Sequence, residues 1–232
     1  VAFPVRLLVS KRPMIVLLGD SLTAGSSQQG DWSQLLRERY SATADVMNSG
    51  ISGINTRIFR HGDLEHALPP LDTEIALVTV WFGANDALHP RAGIQQHVPR
   101  DEFKRNLAGI VSMLQQRCMR IILLGPSPID DATYCTKFRF AACTSSIRTR
   151  SSARSRNYSI AAGEVAKAVG IPFIDMWGHM QSIEPFTVNS TLLWRHFSCD
   201  GVPWRHLAQL LVRRESKQVG NFLCDGLHLS PA

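Results

Sequence analysis

The fold is decided by Met14-Ile-Val-Leu-Leu-Gly-Asp-Ser-Leu-Thr23, where an apolar run leads straight into a turn that carries a serine. Ile15 to Leu18 are apolar without a break, which is typical of a parallel strand covered on both faces. A helical pattern follows the turn. In an open α/β sheet, ligands bind at the carboxyl ends of the strands, where helix N–H groups also point. Ser21 is therefore a candidate nucleophile, although most isolated Gly-Asp-Ser turns have only a structural role.

Strands and helices alternate along the chain. Further strands are predicted at 45–48, 74–82, 120–125 and 171–175, and helices at 31–40, 55–68, 101–118 and 156–169. This alternation predicts parallel βαβ units, and right-handed crossovers then give a three-layer α/β/α sandwich with a mostly parallel sheet of about five strands. We expect one domain over 1–232, with 1–13 as an extra N-terminal segment and 183–220 as an atypical, insert-like segment.

Composition restricts the partners and the compartment. The net charge is +6, and the basic residues of 137–156 are interpreted as a solvated loop rather than a nucleic-acid surface, because the chain carries no recognised nucleic-acid module. No apolar run approaches the roughly 20 residues of a membrane span. The five cysteines lack the spacing of a zinc or redox motif, so we expect mostly reduced thiols, no metal and a cytoplasmic location.

Small polar turns follow the first three predicted strands, and a fourth polar block lies near the end of the chain. These blocks are Gly19-Asp-Ser21, Ser49-Gly-Ile-Ser-Gly53, Gly83-Ala-Asn85 and Asp225-Gly-Leu-His228. The carboxyl ends of parallel strands share one edge, so residues distant in sequence are expected to meet there. On a helical turn, the spacing within the last block places its carboxylate and imidazole on one face.

The four blocks supply what acyl transfer needs: a nucleophile, a base, a group that orients the base, and donors for the oxyanion. Ser21 would attack, His228 would take its proton, and Asp225 would hold the imidazole. The oxyanion would be met by the N–H groups of Ser21 and Gly53 and by the side-chain amide of Asn85.

Some neighbouring residues offer other assignments. Gly50 is the alternative to Gly53 as a backbone donor. Asp20 and Asp86 flank the site residues and are expected to brace their loops by hydrogen bonding rather than to transfer protons. Asp200 lies in a segment that echoes the last block, but it has no histidine three residues later, so we discount it.

Taken together, the four blocks resemble those of the SGNH (GDSL) hydrolase superfamily. Three longer stretches are similar to isoamyl acetate-hydrolysing esterase-like proteins: Asn48-x-Gly-Ile-Ser-Gly-Ile-Asn-Thr-Arg57, Phe82-Gly-Ala-Asn-Asp-Ala87 and Asp225-Gly-Leu-His-Leu-Ser230. The resemblance implies a flavodoxin-like sheet and a serine esterase without metal or cofactor. Its substrates would be small-molecule acetyl or other short-chain esters, and the chain would act as a monomer or homodimer in lipid metabolism.

Other enzyme classes lack their motifs here. There is no G-x-S-x-G, G-x-G-x-x-G, P-loop or H-E-x-x-H. Two alternatives stay open: a catalytically impaired member of the superfamily that acts as a ligand-binding module, and an acyltransferase that uses the same triad.

The chain departs from the superfamily pattern in three places. These are the Arg/Ser-rich run at 139–156, the long link at 183–220 and the end at Ala232, where the superfamily has a closing helix. We interpret them as signs of a fragment or an imperfect gene model. The N-terminus, which lacks a methionine, is open to the same interpretation.

Overall fold

The computed structural model describes residues 12–25, 31–61, 64–92, 95–118, 120–137, 143–144 and 147–181. The strands are β1 (Met14–Gly19), β2 (Asp45–Gly50), β3 (Ile75–Trp81), β4 (Ile121–Leu124), β5 (Cys143–Thr144), β6 (Ile147–Arg148) and β7 (Phe173–Ile174). The α-helices are α1 (Ser21–Ala24), α2 (Trp32–Tyr40), α3 (Arg100–Gln115), α4 (Asp131–Lys137), α5 (Ser152–Val169) and α6 (Met176–Gln181). Two short 3₁₀ helices, Thr56–His61 and Glu65–Ala67, lie between β2 and β3.

Five of these strands form one parallel sheet in the order β2-β1-β3-β4-β7. Strand β1 lies between β2 and β3, so its last residue, Gly19, is opposite Gly50 on one side and Trp81 on the other. All carboxyl ends therefore lie at one edge, called here the carboxyl edge, and the strand starts form the amino edge. The predicted parallel sheet of about five strands is confirmed. Strands β5 and β6 pair separately as an antiparallel hairpin.

Helices cover both faces of the sheet. Val16 and Leu18 of β1 point into a core that is shared with α3 and α5. Ile15 and Leu17 point to the opposite face, into a core that is shared with α2 and α6. Each such side chain contributes about 1.5–3 kcal/mol when it is fully buried, which explains why β1 is apolar at successive positions. The three-layer α/β/α architecture is confirmed.

Capping residues define the ends of the long helices. Asp31 caps α2, because its carboxylate accepts the N–H of Gln34 at 2.8 Å. Gly170 ends α5 with a left-handed φ of 72°, as the glycine there predicted. The apolar stripe of α3 is buried, as its helical spacing predicted: Phe103, Leu107, Ile110, Val111 and Leu114.

The segment 55–68 differs from the single helix that was expected, because it contains the two 3₁₀ helices. Polar side chains take its first backbone N–H groups. The side chain of Asn55 accepts the N–H of Arg57 at 3.0 Å, and that of Asp86 accepts the N–H of Thr56 at 3.1 Å. Such bonds compete with the regular helical ladder and favour a tighter, irregular turn.

The interpretation of 137–156 as a solvated loop is wrong for the residues that the structure describes. Helix α5 begins at Ser152, four residues before the predicted start, and Ser151 caps it. Arg150 is only 8% exposed. Arg156 forms an ion pair with Asp175 and lies over the ring of Trp177. Arginine pairs with carbonyl and aromatic groups when it is buried, which a count of charges does not register.

The cysteines differ from one another. Cys118 is a free, buried thiol, whereas Cys135 is disulfide-bonded, so the expectation of reduced thiols is wrong at that position. Motif spacing missed it because a disulfide depends on proximity in the fold rather than on a local pattern. Within the described ranges, no helix is long and apolar enough to cross a membrane.

Candidate active site

Ser21 lies at the carboxyl edge, where β1 turns into α1. Asp20 precedes it and caps the helix, because its Oδ1 accepts the N–H of Leu22 at 2.9 Å. Gly19 is required for the turn, since a Cβ there would lie 2.1 Å from Oγ1 of Thr23 and 2.4 Å from the carbonyl oxygen of Trp81. The turn therefore holds Ser21, which is partly exposed, at the carboxyl end of β1, between β2 and β3.

Gly50 ends β2 and packs directly on α1. A Cβ at Gly50 would lie 2.1 Å from the backbone nitrogen of Ala24, so the glycine permits close contact between the two backbones. Asn48 adds a bond from its Nδ2 to the carbonyl of Thr23 at 2.8 Å. The N–H of Gly50 donates to Oδ1 of Asn48 at 2.9 Å. This N–H is thus already used, and Gly50 is poorly suited to be an oxyanion donor.

Gly53 lies in the loop after β2 and has a φ of 81°, a conformation that strongly favours glycine. Its carbonyl accepts a hydrogen bond from Nε2 of Gln96, which holds the peptide in place. Among the residues that the structure describes, no acceptor meets the N–H of Gly53. This N–H is consequently available to a ligand.

Asn85 follows β3 and is 2% exposed. Its Nδ2 donates to the carbonyl of Ile54 at 2.7 Å, which joins the turn after β3 to the loop after β2. Its Oδ1 accepts Nη2 of Arg150 at 2.7 Å. The amide nitrogen carries two hydrogens, and the second one has no acceptor within the described part of the chain. Asn85 thus holds a donor ready for a ligand.

Asp86, the next residue, turns inward instead. Its Oδ1 accepts the hydroxyl and the N–H of Thr56, at 2.5 and 3.1 Å. Burial raises the pKa of Asp86 to about 7, and the charge of Asp20 adds to this shift. Both acids brace the turns beside the site residues, as the sequence predicted.

The structure thus places three of the predicted residues, Ser21, Gly53 and Asn85, at the carboxyl ends of three adjacent strands. Asp225, His228 and the discounted Asp200 lie outside the described residues. Within the described ranges, no cluster of three or more His, Cys, Asp or Glu side chains could hold a metal ion.

Sequence reasoning missed Arg150, which contacts Asn85 directly. It belongs to a basic run, and no spacing rule connects it with the turn after β3. Only its position just before the cap of α5 could have drawn attention to it, because that helix packs on β4 and β7.

The chain belongs to the GDSL-like lipase/acylhydrolase family, whose sequence profile matches residues 17–232. It is a carboxylic ester hydrolase, and the sequence resemblance to GDSL esterases is confirmed.

Individual relatives agree with this assignment. The mouse isoamyl acetate-hydrolyzing esterase 1 homolog is 30% identical over 230 residues, which cover 94% of this chain and 76% of the relative. A GDSL esterase/lipase of Arabidopsis thaliana is 36% identical over 179 residues, which cover 74% and 73%. The fold is similar to that of an acetylxylan esterase from Geobacillus stearothermophilus, with a TM-score of 0.59, 15% identity, and coverage of 95% of this chain and 88% of that one.

Proposed function

We propose that this chain hydrolyses short-chain carboxylic esters, acetates above all, with Ser21 as the nucleophile. His228 acts as the base, and Asp225 orients it. The N–H groups of Ser21 and Gly53 and the Nδ2 of Asn85 form the oxyanion hole. One observation carries the proposal: among the described residues no acceptor meets the N–H of Gly53 or the second hydrogen of the Asn85 amide, and both residues follow strands that flank the strand of Ser21.

The reaction follows from these roles. Oγ of Ser21 attacks the ester carbonyl while His228 accepts its proton, and the oxyanion forms facing the three donors. His228 then gives the proton to the alcohol oxygen as the ester C–O bond breaks, so the alcohol leaves and the acyl group stays on Oγ of Ser21. Water, activated by the same histidine, releases the acid and restores Ser21. Negative charge builds up at the oxyanion while His228 becomes positive beside Asp225, and donors that are already fixed at the oxyanion lower the barrier without reorganising.

The short acyl chain is supported by the relatives. One is named for isoamyl acetate, and the similar solved structure is an acetylxylan esterase, so both names refer to acetate esters. Membership of the GDSL-like family supports the ester hydrolysis itself.

The test compares turnover of p-nitrophenyl acetate and p-nitrophenyl octanoate by the full chain. Ser21→Ala and His228→Gln should each lower kcat for the acetate by about 10⁴-fold or more. Asn85→Ala should lower it by about 10²–10³-fold, as for loss of one oxyanion donor. Ser41→Ala is the matched control, because Ser41 is an exposed serine at the carboxyl end of α2, just before β2 begins. This variant should leave kcat unchanged.

Each result decides something. Unchanged turnover in Ser21→Ala would overturn the serine mechanism, and faster turnover of the octanoate would overturn the short-chain preference.

Adding 1-butanol to the reaction distinguishes hydrolysis from acyl transfer. A hydrolase releases mostly acetate, whereas butyl acetate as the main product would overturn the hydrolase proposal in favour of an acyltransferase. Binding of the esters without any turnover would favour the ligand-binding alternative.

A further inference from the structure

Arg150 connects three parts of the molecule through its guanidinium group. Its Nη1 donates to the carbonyl of Ala84, its Nη2 to Oδ1 of Asn85 at 2.7 Å, and its Nε to the hydroxyl of Tyr134 at 3.0 Å. The guanidinium carbon lies 5.7 Å from the centre of the Tyr134 ring. Every nitrogen of the group therefore has a partner, in a site that is 8% exposed.

These bonds determine which way the amide of Asn85 faces. With Oδ1 toward Arg150, the Nδ2 atom meets the carbonyl of Ile54 at 2.7 Å. In a flipped amide, Nδ2 of Asn85 would face the donating guanidinium of Arg150, and Oδ1 of Asn85 would face the carbonyl oxygen of Ile54. Unmatched buried donors and acceptors cost about 1–3 kcal/mol each. The flipped state is therefore suppressed, and Nδ2 keeps one hydrogen for a ligand.

The charge of Arg150 adds to this effect. Within the described part of the chain, no carboxylate forms an ion pair with it, because its three nitrogens donate to neutral oxygens. A cationic donor on Oδ1 polarises the amide and strengthens donation from Nδ2. The same positive charge favours a negative charge that develops at the neighbouring site.

We propose that Arg150 is a positioning residue for catalysis, which fixes and polarises the Asn85 amide as an oxyanion donor. This inference rests on the proposed function, because it needs Asn85 to face the oxyanion. A lysine could not replace the arginine, since one ammonium group does not reproduce the planar fork that spans the oxygens of Ala84 and Asn85.

The test is a double-mutant cycle on p-nitrophenyl acetate turnover with the full chain. Arg150→Met should lower kcat by about 10- to 100-fold, with KM changed by less than about threefold, since only transition-state stabilisation is lost. In the Asn85→Ala background the same substitution should lower kcat by less than about twofold. A purely structural role would lower kcat equally in both backgrounds, and that result would overturn the inference.

Arg156→Met is the matched control, because Arg156 is a partly buried arginine in α5, the helix that follows Arg150, and has an ion pair and an aromatic contact of its own. It should destabilise the fold modestly and leave kcat unchanged. Arg150→Lys carries the test if Arg150→Met does not fold, since it keeps the charge. Arg150→Lys should lower kcat by about tenfold when Asn85 is present and by less than about twofold in the Asn85→Ala background.

The inference and the proposed function fail in different ways. If Ser21→Ala and Asn85→Ala lose activity while the Arg150 variants behave like Arg156→Met, the positioning role is overturned and the esterase mechanism stands. If Asn85→Ala keeps full activity, the proposed oxyanion hole itself is wrong.

Discussion

At opposite edges of the sheet, two arginines each donate to a backbone carbonyl and to a side-chain oxygen, in very different surroundings. At the carboxyl edge, Arg150 donates to the carbonyl of Ala84 and the side-chain oxygen of Asn85. At the amino edge, Arg12 donates to the carbonyl of Ser41 and the carboxylate of Asp45. Arg150 is buried, whereas the side chains of Arg12 and Asp45 are 50% and 47% exposed.

The difference teaches that burial, rather than the bond pattern, decides what such a contact does. Water competes for the Arg12 bonds and screens its charge, so the amino edge gains little from them. Around Arg150 and Asn85 the site is buried, and a broken bond leaves an unpaired buried group. Polar contacts therefore fix geometry at the edge that carries Ser21.

The largest expected effect comes from breaking the rigid backbone contact at the carboxyl edge. Gly50→Ala would place a Cβ 2.1 Å from the backbone nitrogen of Ala24. Neither backbone can yield without moving α1 and Ser21, so we expect the free energy of unfolding to fall by about 4 kcal/mol or more. Urea denaturation of the variant and of the unmodified protein measures the difference.

Gly109→Ala is its control, because Gly109 lies on the exposed face of α3, and an added Cβ would meet no atom within 4 Å besides its chain neighbours and the backbone of its own helix. Alanine there should raise the free energy of unfolding by about 0.5–1 kcal/mol. A loss of less than about 1 kcal/mol in Gly50→Ala would show that the carboxyl edge is more adaptable than its contacts indicate.

The parts of the fold that sequence predicted are those that local pattern determines. The unbroken apolar run of β1 and the helical apolar stripe of α3 predict directly that these residues are buried. Asp31 and Gly170 mark helix ends, because each makes local capping bonds. Three of the site residues could be expected at one edge for the same reason, since each lies in the turn or loop that follows a strand.

The remaining features depend on contacts between distant segments. Arg150 and Asn85 are 65 residues apart, so their bond has no local signature, and a run of arginines suggests solvent exposure instead. The irregular turn after Asn55 could not be predicted from local pattern, because the acceptor of the Thr56 N–H is on Asp86, 30 residues away. The disulfide at Cys135 was missed because it too depends on proximity in the fold.

A second prediction tests the burial of Asp86, whose pKa is raised to about 7 by desolvation first and by the charge of Asp20 as well. In the unfolded chain this pKa is about 4, so the native state holds the proton over a wider range. Between these values the native state binds more protons, and its stability falls as pH rises, by at most about 1.4 kcal/mol per pH unit. The contribution is greatest below about pH 4 and is lost as the pH rises through 7.

Asp86→Asn keeps an acceptor for Thr56 but does not ionise. The stability of the unmodified protein relative to Asp86→Asn should therefore fall by about 2–4 kcal/mol between about pH 4 and pH 8. Urea denaturation of both proteins across this range measures it, and titrating groups that do not interact with Asp86 cancel in the comparison. A constant difference would contradict the raised pKa and would indicate that water reaches this part of the carboxyl edge.

The smallest effect is expected at the amino edge, where Arg12→Met removes the exposed counterpart of the Arg150 contacts. The free energy of unfolding should fall by less than about 1 kcal/mol, and about 1 M salt should abolish the difference, because the ion pair with Asp45 is exposed and screened. Turnover of p-nitrophenyl acetate should stay unchanged, since Arg12 lies at the opposite edge from Ser21. A loss of kcat comparable with that of Arg150→Met would show that the two edges are coupled through the sheet, and the contrast between buried and exposed arginine would then fail as an explanation of the site.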